Sequence, residues 1–210
     1  EGSMSKIIKN ALILMAITLV AGLALGFVYD ITKEPIAEQE QKAKAEAYEA
    51  VFPDAATLET IPEIEDVTAD AREVLDAKGL TQEDILEVML AKDDAGNTLG
   101  VVMNITTHEG YGGDINFSMG IQKDGTVNGI QILSISETAG LGMKAAEEDF
   151  YGQYAGKKVD SFAYTKTGAS ADNEINAISG ATITTNAVTN GVNGGIYYYQ
   201  SLMEGGILDE

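Results

Sequence analysis

The chain opens on an apolar run with no charge in it. Residues 10–29 read Asn-Ala-Leu-Ile-Leu-Met-Ala-Ile-Thr-Leu-Val-Ala-Gly-Leu-Ala-Leu-Gly-Phe-Val-Tyr. At ~1.5 Å per residue this run covers roughly 30 Å, the thickness of a bilayer's hydrocarbon core, so a membrane-spanning helix is expected over 6–30. Lys6 and Lys9 flank one end and Asp30 the other. By the positive-inside rule the N-terminus is then cytoplasmic and residues 30–210 lie outside, with Tyr29 at the outer interface. The alternative is a cleaved signal peptide with Ala24-Leu25-Gly26 as its cleavage site; the run exceeds the ~7–15 residues of such a core, which favours a retained span. Gly22 and Gly26 are spaced for close packing against another membrane helix, although glycine is common in such helices generally.

After Pro35 the pattern becomes polar and strongly helix-forming, rich in Ala, Glu, Lys and Gln up to Val51. This segment extends or restarts the membrane helix, giving a juxtamembrane helix and linker over 31–55. Residues 52–70, with Pro53, Pro62 and many acids, read as a loop with little regular structure. A short helix is expected around Ala69–Ala77, ended by Gly79.

The period then falls to two. Leu86, Val88 and Leu90 alternate with Glu87, Met89 and Ala91, and Asp93–Asn97 is turn chemistry. Leu99–Thr107 is a second strand. Ile115, Phe117, Met119 and Ile121 alternate with Asn116, Ser118, Gly120 and Gln122 as a half-buried third, and Asp124-Gly125 turns into a fourth over Val127–Ile135. These runs predict an antiparallel meander with one buried face. A helix is expected over Met143–Tyr154 and a strand near Phe162. From Thr184 the helical period returns, with Val188, Val192, Ile196, Tyr199 and Met203 on one face and Gly205-Gly206 at its end. Tyr197-Tyr198-Tyr199 reads as helix surface and core packing. The fold class is α+β: one membrane helix followed by a domain of antiparallel sheet and packed helices over 56–210.

Composition narrows the chemistry. The 210 residues carry 13 basic and 33 acidic side chains, a formal charge of −20. That argues against nucleic acid and against docking on anionic lipid headgroups. There is no cysteine, and His108 is the single histidine. Disulfides, thiolate iron–sulfur clusters, a cysteine nucleophile and a His-rich metal site are therefore excluded. No metal ligand and no catalytic residue is assigned, and any redox group must be an added organic cofactor. Glu1-Gly2-Ser3, ahead of Met4, read as a tag remnant, so 1–5 is expected to be that remnant and a short cytoplasmic N-terminus.

The candidate chemistry sits at Ser179-Gly180-Ala181-Thr182-Ile183-Thr184-Thr185. Thr184 or Thr185 is expected to cap the last helix, which makes Ser179–Thr182 the approach to a helix N-terminus. Free N–H groups and the positive end of the helix dipole favour a phosphate there. The stretch is neither a Gly-x-Ser-x-Gly elbow nor a Gly-Lys-Ser/Thr phosphate loop, and no Gly-x-Gly-x-x-Gly fingerprint occurs.

Ser179-Gly180-Ala181-Thr182 resembles the flavinylation motif of the FMN-binding domain found in the G subunit of the Rnf complex and in the C subunit of the sodium-pumping NADH:quinone oxidoreductase. Gly110-Tyr111-Gly112-Gly113 and Glu137-Thr138-Ala139-Gly140-Leu141-Gly142 precede it in the family's order. The single membrane span and the length are those of the Rnf protein. The resemblance implies that a flavin transferase, with FAD as donor, esterifies Thr182 with FMN phosphate. It implies cofactor-binding roles for Ser179, Gly180, Ala181, Thr184 and Thr185, and places the loop Glu137, Thr138, Gly140, Leu141 and Gly142 beside the isoalloxazine ring. Leu141 is then an apolar contact, and Glu137 either accepts a ring N–H bond or binds loop N–H groups. Lys144 lies near the polar edge of the flavin or is solvated; Tyr111 packs near the ring or covers the sheet edge.

Asn176 stands where the family usually has Asp, with Glu174 nearby but out of register, and Ala139 stands where it usually has Pro. The function implied is an electron-transfer subunit of an ion-translocating ferredoxin:NAD oxidoreductase, not catalytic as an isolated chain. It would sit single-pass in the bacterial inner membrane with its domain on the extracytoplasmic side. Its partners would be the other membrane and peripheral subunits, the flavin transferase and the lipid bilayer. The alternatives are the C subunit of the quinone reductase, or a membrane-tethered binding or sensory domain without flavin.

Overall fold

The computed structural model describes residues 2–208, with side chains from Met4 onward. It divides into two compact units, one ending at Ala43 and one starting at Lys44. The first is made of helix α1, which runs as Gly2–Val51 and continues into the second unit. Its apolar stretch is long and apolar enough to cross a membrane, and its side chains from Met4 to Asp30 are exposed. Thr18 donates its hydroxyl back to the Leu14 carbonyl at 3.0 Å, so it presents no open donor to lipid. The helix runs through Pro35 without a break. The proline removes one backbone bond, and the helix formers after it carry the helix on.

The second unit is built on a meander of five strands: β1 Thr57–Thr60, β2 Glu83–Lys92, β3 Thr98–Thr107, β4 Ile115–Gln122 and β5 Val127–Ile135, each antiparallel to its neighbours in that order. β1 falls in the stretch the sequence marks as irregular. It is too short to show a period and exists by pairing with the β2 edge, Thr57 opposite Lys92. Between β1 and β2 lies α2, Val67–Ala77, capped by the Asp66 carboxylate accepting from the Ala69 N–H at 3.0 Å.

The structure corrects the expectation of a half-buried third strand, because β4 is covered on both faces. One face, with Phe117 and Met119, meets the last helix, α4, Thr182–Glu204. Gly191 and Gly195 allow that approach: a β-carbon would stand 2.9 Å from the Phe117 ring at the first and 2.6 Å from the Met119 sulfur at the second. The other face receives the end of α1, where Tyr48, Val51 and Phe52 pack on Ala91 and Val102. A β-carbon at Gly120 would lie 2.2 Å from the Val51 carbonyl oxygen, so only glycine admits the helix end there. Tyr48 donates its hydroxyl to Glu87, whose carboxylate also holds Lys44 at 2.6 Å.

Leu86 does not belong to the buried set of β2. Ile85 pairs with Ile105 and Glu87 with Asn104, so Leu86 is the extra residue of a bulge and stands 51% exposed. The helix expected over Met143–Tyr154 is broken into a 3-10 turn at Gly142–Ala146, the short α3 at Glu148–Tyr151, and a second 3-10 turn at Gly152–Tyr154. Glu147 is extended, which ends the first piece. Phe162 is followed by β6, Ala163–Thr165, which pairs in parallel with β7, Glu174–Asn176. Along α4 the expected face is buried, half-buried at Met203, and burial extends to further sides of the helix. Tyr198 donates to Asp70 at 2.8 Å and Tyr199 to the Lys123 carbonyl at 2.9 Å, so the tyrosine run serves packing.

Candidate functional site

The entrance to α4 differs from the expected threonine cap. Ala181 occupies the N-cap with no side-chain hydrogen bond, and Thr182 is the first helical residue. Thr185 is fully buried in the first turn, where its hydroxyl donates to the Ala181 carbonyl at 2.9 Å and accepts the Ile178 N–H at 3.0 Å. It closes the turn from inside, so no residue is required to cap it from outside. The Thr185 N–H bonds back to the Ala181 carbonyl at 3.0 Å. The N–H groups of Thr182, Ile183 and Thr184, ahead of it, have no acceptor within the helix. Gly180, at φ 79°, sits in the left-handed region and reverses the chain just before.

The opposing wall is the loop after β5. Glu137, 9% exposed, accepts the Tyr111 N–H at 2.7 Å through Oε1. Of the two roles open to Glu137, holding the loop is the one its hydrogen bond fills. A β-carbon at Gly112 would lie 2.1 Å from the Ser136 carbonyl oxygen, which is why the Gly110–Gly113 loop seats so closely on this strand end. Leu141 and Met143 both donate to the Thr138 carbonyl, at 3.1 and 3.2 Å, around Gly140 at φ 75°. Thr184 Oγ1 and the Glu137 carboxylate converge on Gly142: a β-carbon there would be 2.7 Å from the hydroxyl and 2.6 Å from the carboxylate Oε2.

Between the walls lies a cavity of about 600 Å3, lined by Tyr111, Glu137, Thr138, Leu141, Gly142, Gly180, Ala181, Thr182, Ile183 and Thr184. Tyr111 at 72%, Ile183 at 53% and Leu141 at 43% exposure give it an apolar rim. Among the described residues no lysine or arginine lines it, so the positive partial charge available there is that of the N-terminus of α4. Most of the residues singled out from sequence are thus brought together. Ser179 and Lys144 instead line a separate cleft of about 240 Å3, with Glu147, Asp149, Gln153 and Asn176. Gly140 shapes the turn behind Leu141, and Thr185 faces inward.

Sequence reasoning missed Ile183, which lines the cavity beside Thr182, and a neighbouring cleft of about 370 Å3 formed by Glu109, Tyr164, Thr182, Ile183 and Asn186. The available signal was the spacing of Thr182, Asn186 and Asn190, polar residues one helical turn apart. His108, given no chemistry from sequence, lies between two carboxylates, 3.0 Å from Asp84 and 2.8 Å from Asp114. Asn176 is engaged: its side-chain oxygen accepts the Ala169 N–H at 2.7 Å and its own N–H donates to Gln153 at 2.8 Å. Glu174 accepts from Ser170 and Ala171 and closes the same loop.

Residues 110–196 match the family model described as the FMN-binding domain, and residues 4–51 that described as the RnfG N-terminal region. The chain is 36% identical over 200 residues to the G subunit of the Na(+)-translocating ferredoxin:NAD(+) oxidoreductase complex of Acetobacterium woodii, covering 93% of each chain. It is 30% identical over 194 residues to the G subunit of the ion-translocating oxidoreductase complex of Methanosarcina acetivorans, covering 92% of this chain and 94% of that one. A looser likeness, at TM-score 0.48 and 20% identity, is to the crystal structure of Shewanella oneidensis NqrC, over 58% of this chain and 62% of that one. Matched nearly end to end to such relatives, and carrying both the N-terminal region and the FMN-binding domain, the chain belongs to the RnfG family, the G subunits of ion-translocating ferredoxin:NAD(+) oxidoreductase complexes.

Proposed function

We propose that this chain is an electron-transfer subunit of an Rnf-type membrane complex and carries FMN esterified through its phosphate to Thr182. The observation that carries the reading is the entrance to α4, where a 23-residue helix begins without a side-chain cap, and Thr182 at its first position lines the cavity. Unpaired N–H groups and the helix dipole favour a phosphate at that point. The cavity's size falls in the range of about 300–1,000 Å3 typical of small-molecule sites. Its rim of Tyr111, Leu141 and Ile183 offers apolar surface for a flat ring, while Glu137 holds the Tyr111 loop in place. When bound, FMN supplies the one- and two-electron chemistry that this cysteine-free chain lacks.

Thr182 contributes its hydroxyl. Its oxygen loses a proton to solvent and gains a bond to phosphorus, while the phosphorus–oxygen bond to AMP in an FAD donor breaks and AMP leaves. A flavin transferase is the catalyst of that step. Gly180 and Gly142 keep the cavity open on either side of the acceptor. The partners are the other subunits of the complex and the lipid around α1. Lys6 and Lys9 on one side of the apolar run and Asp30 on the other support a single pass with the domain outside the cytoplasm. We read 6–30 as the membrane segment, 31–55 as the juxtamembrane helix and linker, and 56–210 as the flavin domain.

Co-expression of the full chain with a flavin transferase tests the assignment, with intact mass and in-gel flavin fluorescence as readouts. The wild-type chain should gain one FMN per molecule, and Thr182→Val should gain none. An unmodified wild-type chain, under conditions that load a known acceptor, defeats the reading. A modified Thr182→Val chain moves the ester to another hydroxyl, Thr184 and Thr138 being threonines that also line the cavity.

A further inference from the structure

Thr182, Asn186 and Asn190 form one stripe along α4, and two carboxylates lie beneath it. Glu109 Oε2 accepts from the Asn186 amide at 3.2 Å and the Asn190 amide at 2.6 Å. The Glu109 N–H donates to Thr107 Oγ1 at 3.3 Å, and the Thr107 hydroxyl donates to Glu83 Oε1 at 3.4 Å. Glu83 is 1% exposed and packs below Gly194, where a β-carbon would meet its own at 3.9 Å. A polar seam therefore crosses an otherwise apolar helix–sheet interface. Its outer end is the cleft that Glu109 shares with Thr182 and Ile183.

The seam holds more negative charge than it can neutralise. Facing Glu83 are Glu109 from the end of β3, Arg72 from α2 and the Gln82 N–H at 3.3 Å; α4 presents only amides and glycine. Arg72 donates to the Glu83 backbone carbonyl and pairs with Asp84, not with the Glu83 carboxylate. Burial first, and the charge of Glu109 second, push the Glu83 carboxyl up to about 7. A buried, unpaired carboxyl is costly to a fold, and such groups concentrate where protons are exchanged.

We propose that Glu109 and Glu83 are the proton-exchanging pair for the flavin held at Thr182, with Glu109 at the cleft and Glu83 holding the proton in the interior. This rests on the flavin reading above. When an external one-electron donor delivers one electron to the bound group, one proton passes from bulk water to Glu83 by way of Glu109. The total charge beside Thr182 is then unchanged, so the reduced state is not penalised by the carboxylates around it.

The test uses the full chain, loaded by co-expression, in wild-type, Glu83→Gln and Glu109→Gln forms. The midpoint potential is measured against pH by dithionite titration with mediators, on both sides of the value near 7 expected for Glu83. Above it Glu83 is ionised and takes up a proton on reduction, so the wild-type potential should fall more steeply with pH than below it. The extra slope should vanish in Glu83→Gln, while the adduct mass stays unchanged. On the unloaded chain, carbon NMR of labelled glutamate side chains should show one carboxyl titrating near 7, lost in Glu83→Gln. A merely structural seam would change the melting temperature of the variants and leave the slope alone. Equal slopes in loaded wild-type, Glu83→Gln and Glu109→Gln overturn the proton-exchange pair and leave the flavin reading intact. A chain that cannot be loaded overturns both.

Discussion

Leu141 lies against Gly180, so that a β-carbon added at 180 would stand 3.1 Å from Leu141 Cδ2. This contact joins the loop after β5 to the turn before α4 and sets the width of the cavity mouth. Gly180→Ala forces an alanine into the left-handed region at φ 79° and crowds Leu141 at the same time. The backbone alone should cost about 1–2 kcal/mol. Urea unfolding of the variant should show that loss, and flavin loading in co-expression should drop with it.

Thr185→Val separates the role of the buried hydroxyl from that of the half-buried Thr182. The substitution keeps the shape and strands the Ile178 N–H, which bonds to Thr185 at 3.0 Å. An unsatisfied buried donor costs about 1–3 kcal/mol. Thr182→Val, at a half-buried position, should stay within about 0.5 kcal/mol of wild type while losing the adduct. Denaturant midpoints and intact masses of the two variants, side by side, check the contrast.

Gly142→Ala places a methyl group 2.6 Å from Glu137 Oε2 and 2.8 Å from Glu137 Cβ. The second atom cannot swing away, so the Glu137 loop has to shift. Overpacking of this kind costs about 1–3 kcal/mol. The Tyr111 amide, released from Glu137, should exchange with deuterium faster in the variant, and loading at Thr182 should slow.

His108 supplies a pH dependence of known sign. Hydrogen bonds to Asp84 and then to Asp114 hold its imidazole above the ordinary value of 6.5. A folded-state value raised above the unfolded one stabilises the fold below 6.5, and the contribution is lost as pH rises through the folded value. The melting temperature of wild type minus that of His108→Gln should therefore be positive at acid pH and shrink as pH rises. Burial of Glu83 also makes stability fall with pH from 4.5 through about 7, but equally in both proteins, so it cancels in the difference. A difference that grows with pH would contradict the two-carboxylate cradle.

The meander was legible because Ile115, Phe117, Met119 and Ile121 repeat with a period of two, which only a strand satisfies. Its second covered face was not, because the cover comes from Tyr48 and Val51, on a helix whose composition reads as a solvated stalk. The bulge at Leu86 was hidden for a similar reason: Leu86, Val88 and Leu90 keep a perfect alternation, and only the pairing with β3, which has no residue opposite Leu86, shows the extra one. At the site the motif residues drew attention to the turn that borders the cavity, while cap preference misplaced the helix start. Thr185 has the side chain of a cap, and it bonds the same turn from within the first helical turn. Glu109 and Glu83 escaped notice because each, read locally, is an ordinary acid at a strand end. Only the approach of α4 turns them into a pair.

The cavity's two walls come from separate stretches of the chain. The strands up to β5 pair with their immediate predecessors and need nothing that follows them in the chain, but the wall that carries Thr182 belongs to the last long helix. The turn at Gly180 takes its shape only when α4 is present to supply Thr185, and it faces a cavity only when that helix has docked on β4. A chain truncated or stalled before α4 closes thus offers a modifying enzyme nothing but a flexible threonine. An adduct at Thr182 would serve the cell as a receipt for a completed fold, marking the chains fit to enter the membrane assembly.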